Sequence, residues 1–199
     1  MKKLILSILT AATVALSASA ASKSKTLIVY FSPANADTTD AVSSATPRAG
    51  SVSSVEAIAT FIEKQTGADT AKIVPNPAYP LEYNKAADKA KGEADKNARP
   101  DFTLSVNPED YDTIFIGYPI WWYKMPMVMY TFFDRYDLSG KTIVPFNTHM
   151  GSRDGGTYKE IAKLEPKAKV LDGLAVNGER TSGAEKSVAD WLKKIGMKN

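Results

Sequence analysis

Two short runs constrain this chain more than anything else in it: Thr26 to Phe31 (TLIVYF) and Thr113 to Gly117 (TIFIG) carry strand-forming side chains at nearly every position. A strand with one wet face would alternate apolar and polar residues. Runs without that alternation belong to strands covered on both faces, as in a parallel sheet sandwiched between helices. The rest of the chain supplies the covers. Val55, Ile58, Ala59 and Ile62 recur at helical spacing, with Gly67 where a helix end favours a left-handed residue. Ala68 to Val74 reads as a strand, Glu82 to Ala98 as a surface helix with a thin alanine stripe, and Phe102 to Val106 as a short extended piece. Met125 to Tyr136 is apolar nearly all round, the mark of a deeply buried helix. Thr142 to Phe146 and Val170 to Val176 complete the strands, and capping boxes at Thr157/Glu160 and Ser182/Glu185 open two more helices. Strands alternating with helices from end to end predict an α/β three-layer sandwich.

At 199 residues, 44% apolar and 24% charged, the chain has the balance of one globular domain. Residues 1–20 stand apart from it: Lys2 and Lys3 precede an apolar run from Leu4 to Leu16, and Ala18-Ser19-Ala20 forms a small-residue cleavage site. They are predicted to be a signal peptide, with residues 21–199 the exported domain, periplasmic or secreted. No later stretch is long and apolar enough for a membrane span. Removing the two lysines lowers the formal charge from +3 to +1, with 23 basic residues against 22 acidic ones. A nearly neutral chain lacks the basic face of a nucleic-acid binder. The absence of cysteine excludes disulfides, thiolate metal sites and thiol nucleophiles, and a single histidine, His149, excludes any site with two imidazole ligands. No metal site is predicted.

Several motifs fail on context. Gly140-Lys141-Thr142 resembles the end of a phosphate-binding loop, but the first glycine of that pattern would fall on Arg135 and the triplet enters a strand. No G-x-G-x-x-G follows the first strand, and no G-x-S-x-G exists. What remains is positional. Ligands of open parallel sheets bind outside the carboxyl ends of the strands, and here those ends are Ser32 with its loop, Tyr118 to Tyr123, and Asn147 to Gly156. Trp121 and Trp122 lie past a strand end, where they either flank a flat ligand or fold back as a lid on the core.

These ends carry recognisable residues: Tyr30-Phe31-Ser32, the loop Tyr118 to Trp122, Pro145-Phe146-Asn147-Thr148-His149, and Val170 to Leu174. From about Thr26 to the C-terminus the chain resembles the flavodoxin-like family. That resemblance implies a five-stranded parallel sheet in the order 2-1-3-4-5 and FMN held noncovalently at the strand ends. It also implies electron transfer, or reduction of a small acceptor such as a quinone, so the expected partners are small-molecule electron donors or acceptors. Carried over by residue, Ser32 begins the phosphate loop, Pro119, Ile120, Trp121 and Trp122 flank the flavin ring, and Thr148, His149, Met150 and Gly151 close its other edge. His149 is then either a donor near the ring or a plain loop residue. The family's G-N-T at the head of the first helix falls on Ser53-Ser54-Val55, after a long segment from Pro33 to Ser51. Ser32, Ser53 and Ser54 would therefore carry the phosphate with backbone N–H groups. That departure keeps open a second reading, a non-catalytic binding protein on a flavodoxin scaffold with a degenerate phosphate site.

Overall fold

The computed structural model describes residues 25–33, 54–80 and 82–198. The predicted signal peptide, most of the Pro33 to Ser51 segment and Ser53 lie outside the described residues. The two apolar runs form β1 (Thr26–Tyr30) and β5 (Thr113–Pro119), paired in parallel from Thr26↔Thr113 to Tyr30↔Gly117. β2 (Asp69–Lys72) pairs on the other side of β1, and β6 (Thr142–His149) on the other side of β5. The predicted last strand is broken into β7 (Lys169–Val170) and β8 (Leu174–Asn177), both parallel to β6. Counting that broken strand once, the order is second, first, third, fourth, fifth.

The break lies at Gly173, where an added Cβ would stand 2.4 Å from the Tyr158 ring and 2.8 Å from the Pro145 carbonyl oxygen. Only glycine lets the chain pass there. The predicted second strand is also divided: after Lys72 the chain leaves the sheet, and β3 (Val74–Asn76) pairs antiparallel with β4 (Asp101–Thr103) in a separate ribbon. The expected extended piece at 102–106 is this β4, shorter and one residue earlier.

Helices cover both faces. Leu27, Val29 and Phe31 point to one side, against α2 (Tyr83–Asp95), the buried α3 (Met127–Arg135) and α4 (Thr157–Leu164). Ile28 and Tyr30 point to the other, against α1 (Ser54–Thr66) and α5 (Glu185–Lys194). Neither predicted capping box forms. Gly156, at φ 82°, precedes α4, while Thr157 is its first residue and uses its hydroxyl elsewhere. Ser182 falls within a 3-10 turn, Gly178–Gly183, and Ala184 precedes α5 with no side-chain cap.

Candidate functional site

The carboxyl ends of β1, β5, β6 and β8 lie along one edge of the sheet, and their loops bear nearly every polar residue singled out in the sequence. β5 and β6 hold the centre. Their pairing runs to Pro119↔Thr148 and is extended by the Ile120 N–H, which donates to the Thr148 carbonyl at 2.8 Å. Pro119, Ile120 and Thr148 are therefore buried parts of the frame.

Past Ile120 the chain reverses in two residues. Trp121 and Lys124 exchange backbone hydrogen bonds of 2.9 and 3.0 Å, and the central residues, Trp122 and Tyr123, both have positive φ, 52° and 63°. This is the geometry of a type I′ turn, which ordinarily selects glycine or asparagine. Two bulky aromatic residues in left-handed conformations cost about 1–2 kcal/mol each, strain of the kind that collects at functional sites. The turn sorts the aromatics. Trp121, 3% exposed, folds back onto Phe31 and Tyr79 with centroids at 5.3 and 4.9 Å and nearly perpendicular planes. Of the two roles open to it in the sequence, it takes the core one. Trp122 is half-exposed and its indole N–H reaches the Ala87 carbonyl of α2 at 3.3 Å. The open aromatic is Tyr123, 74% exposed. No motif marks Tyr123; its role as the second central residue of the turn becomes legible only once Trp121 is seen to pair with Lys124.

The second loop, from His149 to Gly156, is pinned from beneath. The Asn147 side chain is fully buried; its amide donates to the Arg153 carbonyl at 2.9 Å, and its oxygen accepts from the Tyr158 hydroxyl. The Thr157 hydroxyl donates to the Asp154 carbonyl at 2.6 Å and so accepts from the Tyr118 hydroxyl at 2.8 Å. Burial raises the pKa of both tyrosines, keeping them neutral donors. Gly151, Arg153, Gly155 and Gly156 all have positive φ, and a Cβ on Gly155 would stand 2.9 Å from the Tyr123 carbonyl oxygen. The two loops therefore touch backbone to backbone.

His149 ends β6 with 9% of its surface exposed. Its Nδ1 accepts the Gly151 N–H at 2.9 Å, so in the neutral ring the proton sits on Nε2. Burial, with the nearby Arg153 charge, lowers its pKa. Met150 is half-exposed and Gly151 exposed beside it. Ser32 is 3% exposed at the end of β1, and Ser54 opens α1. Val55 is wholly buried in the core of the α1 face. On the β8 side the edge opens into a cleft of about 870 Å³, lined by His149, Arg153, Arg180 and Asn177 among others. Arg180 was not singled out by the sequence, because only the fold brings it beside the His149 loop. Among the described residues no group of three or more histidine, aspartate or glutamate side chains could hold a metal ion, and no helix is long and apolar enough to cross a membrane.

An open parallel sheet whose polar and aromatic loops meet at the carboxyl edge defines the class of α/β proteins that bind ligands at a strand-end crevice. Comparison with known proteins names the family: a sequence profile described as flavodoxin matches residues 25–195, and the chain belongs to the flavodoxin family. Among solved structures it is similar to a protein of Bacteroides eggerthii provisionally described as a flavoprotein, at 28% identity and TM-score 0.65 over 87% of this chain and 99% of that one. A second such protein, from Bacteroides uniformis, matches at 25% identity and TM-score 0.68 over 86% and 99% of the two chains. A Lactobacillus acidophilus flavoprotein in complex with FMN shares the fold at 19% identity and TM-score 0.58 over 81% and 98%. No curated protein matches the chain.

Proposed function

We propose that this protein binds FMN at the carboxyl edge of its sheet and passes electrons to or from a small acceptor such as a quinone. The observation that carries this reading is the meeting of the Tyr123 turn with the His149 to Gly156 loop, in a chain that belongs to the flavodoxin family. The donor set suits a flat ring with polar edges: an exposed aromatic on one loop, and on the other an imidazole whose Nε2 carries the proton. Gly151, at φ 114° with nothing within 4 Å of a Cβ position, leaves room for close backbone approach. FMN, when bound, supplies reversible one- and two-electron chemistry, and the protein sets its electronics by hydrogen bonds and burial. Tyr123 and Trp122 would stack on the ring, His149 would donate from Nε2, and the pinned loop would hold that donor in place. Ser32 and the start of α1 are the phosphate's side of the site. Residues 1–20 direct export, and the mature domain works outside the cytoplasm with small-molecule partners.

A second reading, a binding protein without redox activity, draws on Val55. Its side chain lies wholly in the core, so Val55 itself offers no hydroxyl where the family resemblance places threonine. The test is the absorption spectrum of residues 21–199 purified with and without added FMN, followed by anaerobic reduction and reoxidation with a quinone. Retained flavin and rapid reoxidation support the first reading. Protein that leaves gel filtration colourless after incubation with FMN supports the second.

A further inference from the structure

The cleft on the β8 side carries a charge pattern that flavin binding does not use. Four of the described arginines divide into two pairs. Arg99 and Arg135 are tied to Asp134 and Asp101. Arg153 and Arg180 are exposed, line the cleft and make no ion pair among the described residues. Both stand on fixed backbone. The Arg153 carbonyl is held by buried Asn147 in a left-handed conformation at φ 55°. Arg180 follows Asn177, whose side chain accepts the Glu179 N–H at 2.9 Å and starts the 3-10 turn. His149, nine-tenths buried, lines the same cleft, with Nδ1 occupied by Gly151 and Nε2–H committed to the flavin side, so the arginines are the cations left for a second ligand. Ser187, in the first turn of α5, adds a hydroxyl to the lining. Asp154 lines it too, so the charged residues of the lining are two arginines against one aspartate.

We propose that this cleft seats the oxyanion group of an anionic small-molecule acceptor, held by the Arg153 and Arg180 guanidinium groups. Guanidinium forks match carboxylate, sulfonate and phosphate geometry, and such charge-assisted bonds are roughly twice as strong as neutral ones. A cavity of about 870 Å³ admits a bicyclic aromatic acid. The assignment rests on the redox reading of this edge, since the shared loop His149 to Gly151 would bring such an acceptor beside the flavin.

The experiment is a heteronuclear NMR titration of residues 21–199, flavin-free and FMN-loaded, with a naphthoquinone sulfonate and with menadione as the uncharged comparison. The sulfonate should shift the side-chain N–H resonances of Arg153 and Arg180. Arg180→Gln and Arg153→Gln should each weaken it by about tenfold while menadione changes by less than about twofold. Amide spectra away from the cleft confirm that the variants fold. Equal binding of the two quinones, or sulfonate affinity unmoved in both variants, overturns the proposal. So does a loss of FMN affinity without a loss of riboflavin affinity in Arg180→Gln, which would give the arginines to the cofactor's phosphate. The flavin-free arm separates the two readings: sulfonate binding to Arg153 and Arg180 in a protein that takes no FMN upholds the anion site and removes the flavin.

Discussion

Asn147→Ala tests whether the loop bearing His149 and Arg153 is held by one buried amide. The substitution removes the acceptor of the Tyr158 hydroxyl and the donor to the Arg153 carbonyl. Tyr158 is half-buried, packed against the core, so leaving its O–H without its partner costs about 1–3 kcal/mol. Arg153 is exposed and water can replace the amide at its carbonyl, adding at most about 0.5–1.5 kcal/mol. The expected loss is therefore about 2–4 kcal/mol, most of it from Tyr158. Urea denaturation of Asn147→Ala, Tyr158→Phe and the double variant measures it. The double variant should lie below the sum of the single losses by at least about 0.5 kcal/mol, because a phenyl ring in place of Tyr158 leaves no hydroxyl to orphan. A loss below about 0.5 kcal/mol for Asn147→Ala, or strict additivity, would show that the amide does not hold the loop.

Other expectations follow from single contacts. Gly117→Ala should destabilise by about 1–3 kcal/mol or more, since its Cβ would lie 2.2 Å from Cζ of the fully buried Phe146; an unchanged urea midpoint would show that the ring can move. Trp121→Ala should cost about 3–5 kcal/mol as a core truncation. Tyr123→Gly should instead raise stability by up to about 1 kcal/mol by relieving positive φ, yet weaken FMN by about 0.5–1.5 kcal/mol of stacking; the reverse pattern in calorimetry and flavin titration would exchange the two residues' roles. His149 is held below its ordinary pKa near 6.5 by burial and by Arg153, so the unfolded chain binds that proton more readily. Stability carries no penalty above about pH 6.5 and falls as pH drops below it, until the folded-state histidine protonates. His149→Gln should flatten that fall in urea midpoints, and an equal fall in the variant would contradict it.

The layers were legible because they depend on one property, strands apolar at every position, which Thr26 to Phe31 and Thr113 to Gly117 display without ambiguity; the strand order came only with the family resemblance. The breaks were not. Gly173 lies in the break of the last strand, where Tyr158 and the Pro145 carbonyl leave no room for a Cβ, and those neighbours come from elsewhere in the chain. Helix starts failed for a related reason: Thr157 has the right spacing for a cap, but Tyr118 and Asp154 claim its hydroxyl. At the site, the sequence indicated the loops but not the orientation of their side chains. Trp121 and Trp122 are adjacent and chemically alike; a turn with two positive φ angles buries one, half-exposes the other and leaves Tyr123 outermost. Arg180 joins His149 only through the pairing of β8 with β6, which no local pattern reports.

Flavin binding where the Tyr123 turn meets the His149 loop is tested most directly by amide chemical-shift mapping. Residues 21–199 are titrated with FMN and, in parallel, with riboflavin. Both flavins are predicted to shift Tyr118 to Lys124 and Thr148 to Gly156, and FMN alone to shift Ser32 and the first turn of α1. Saturable binding that leaves both loops unmoved, or no binding of either flavin, would contradict it.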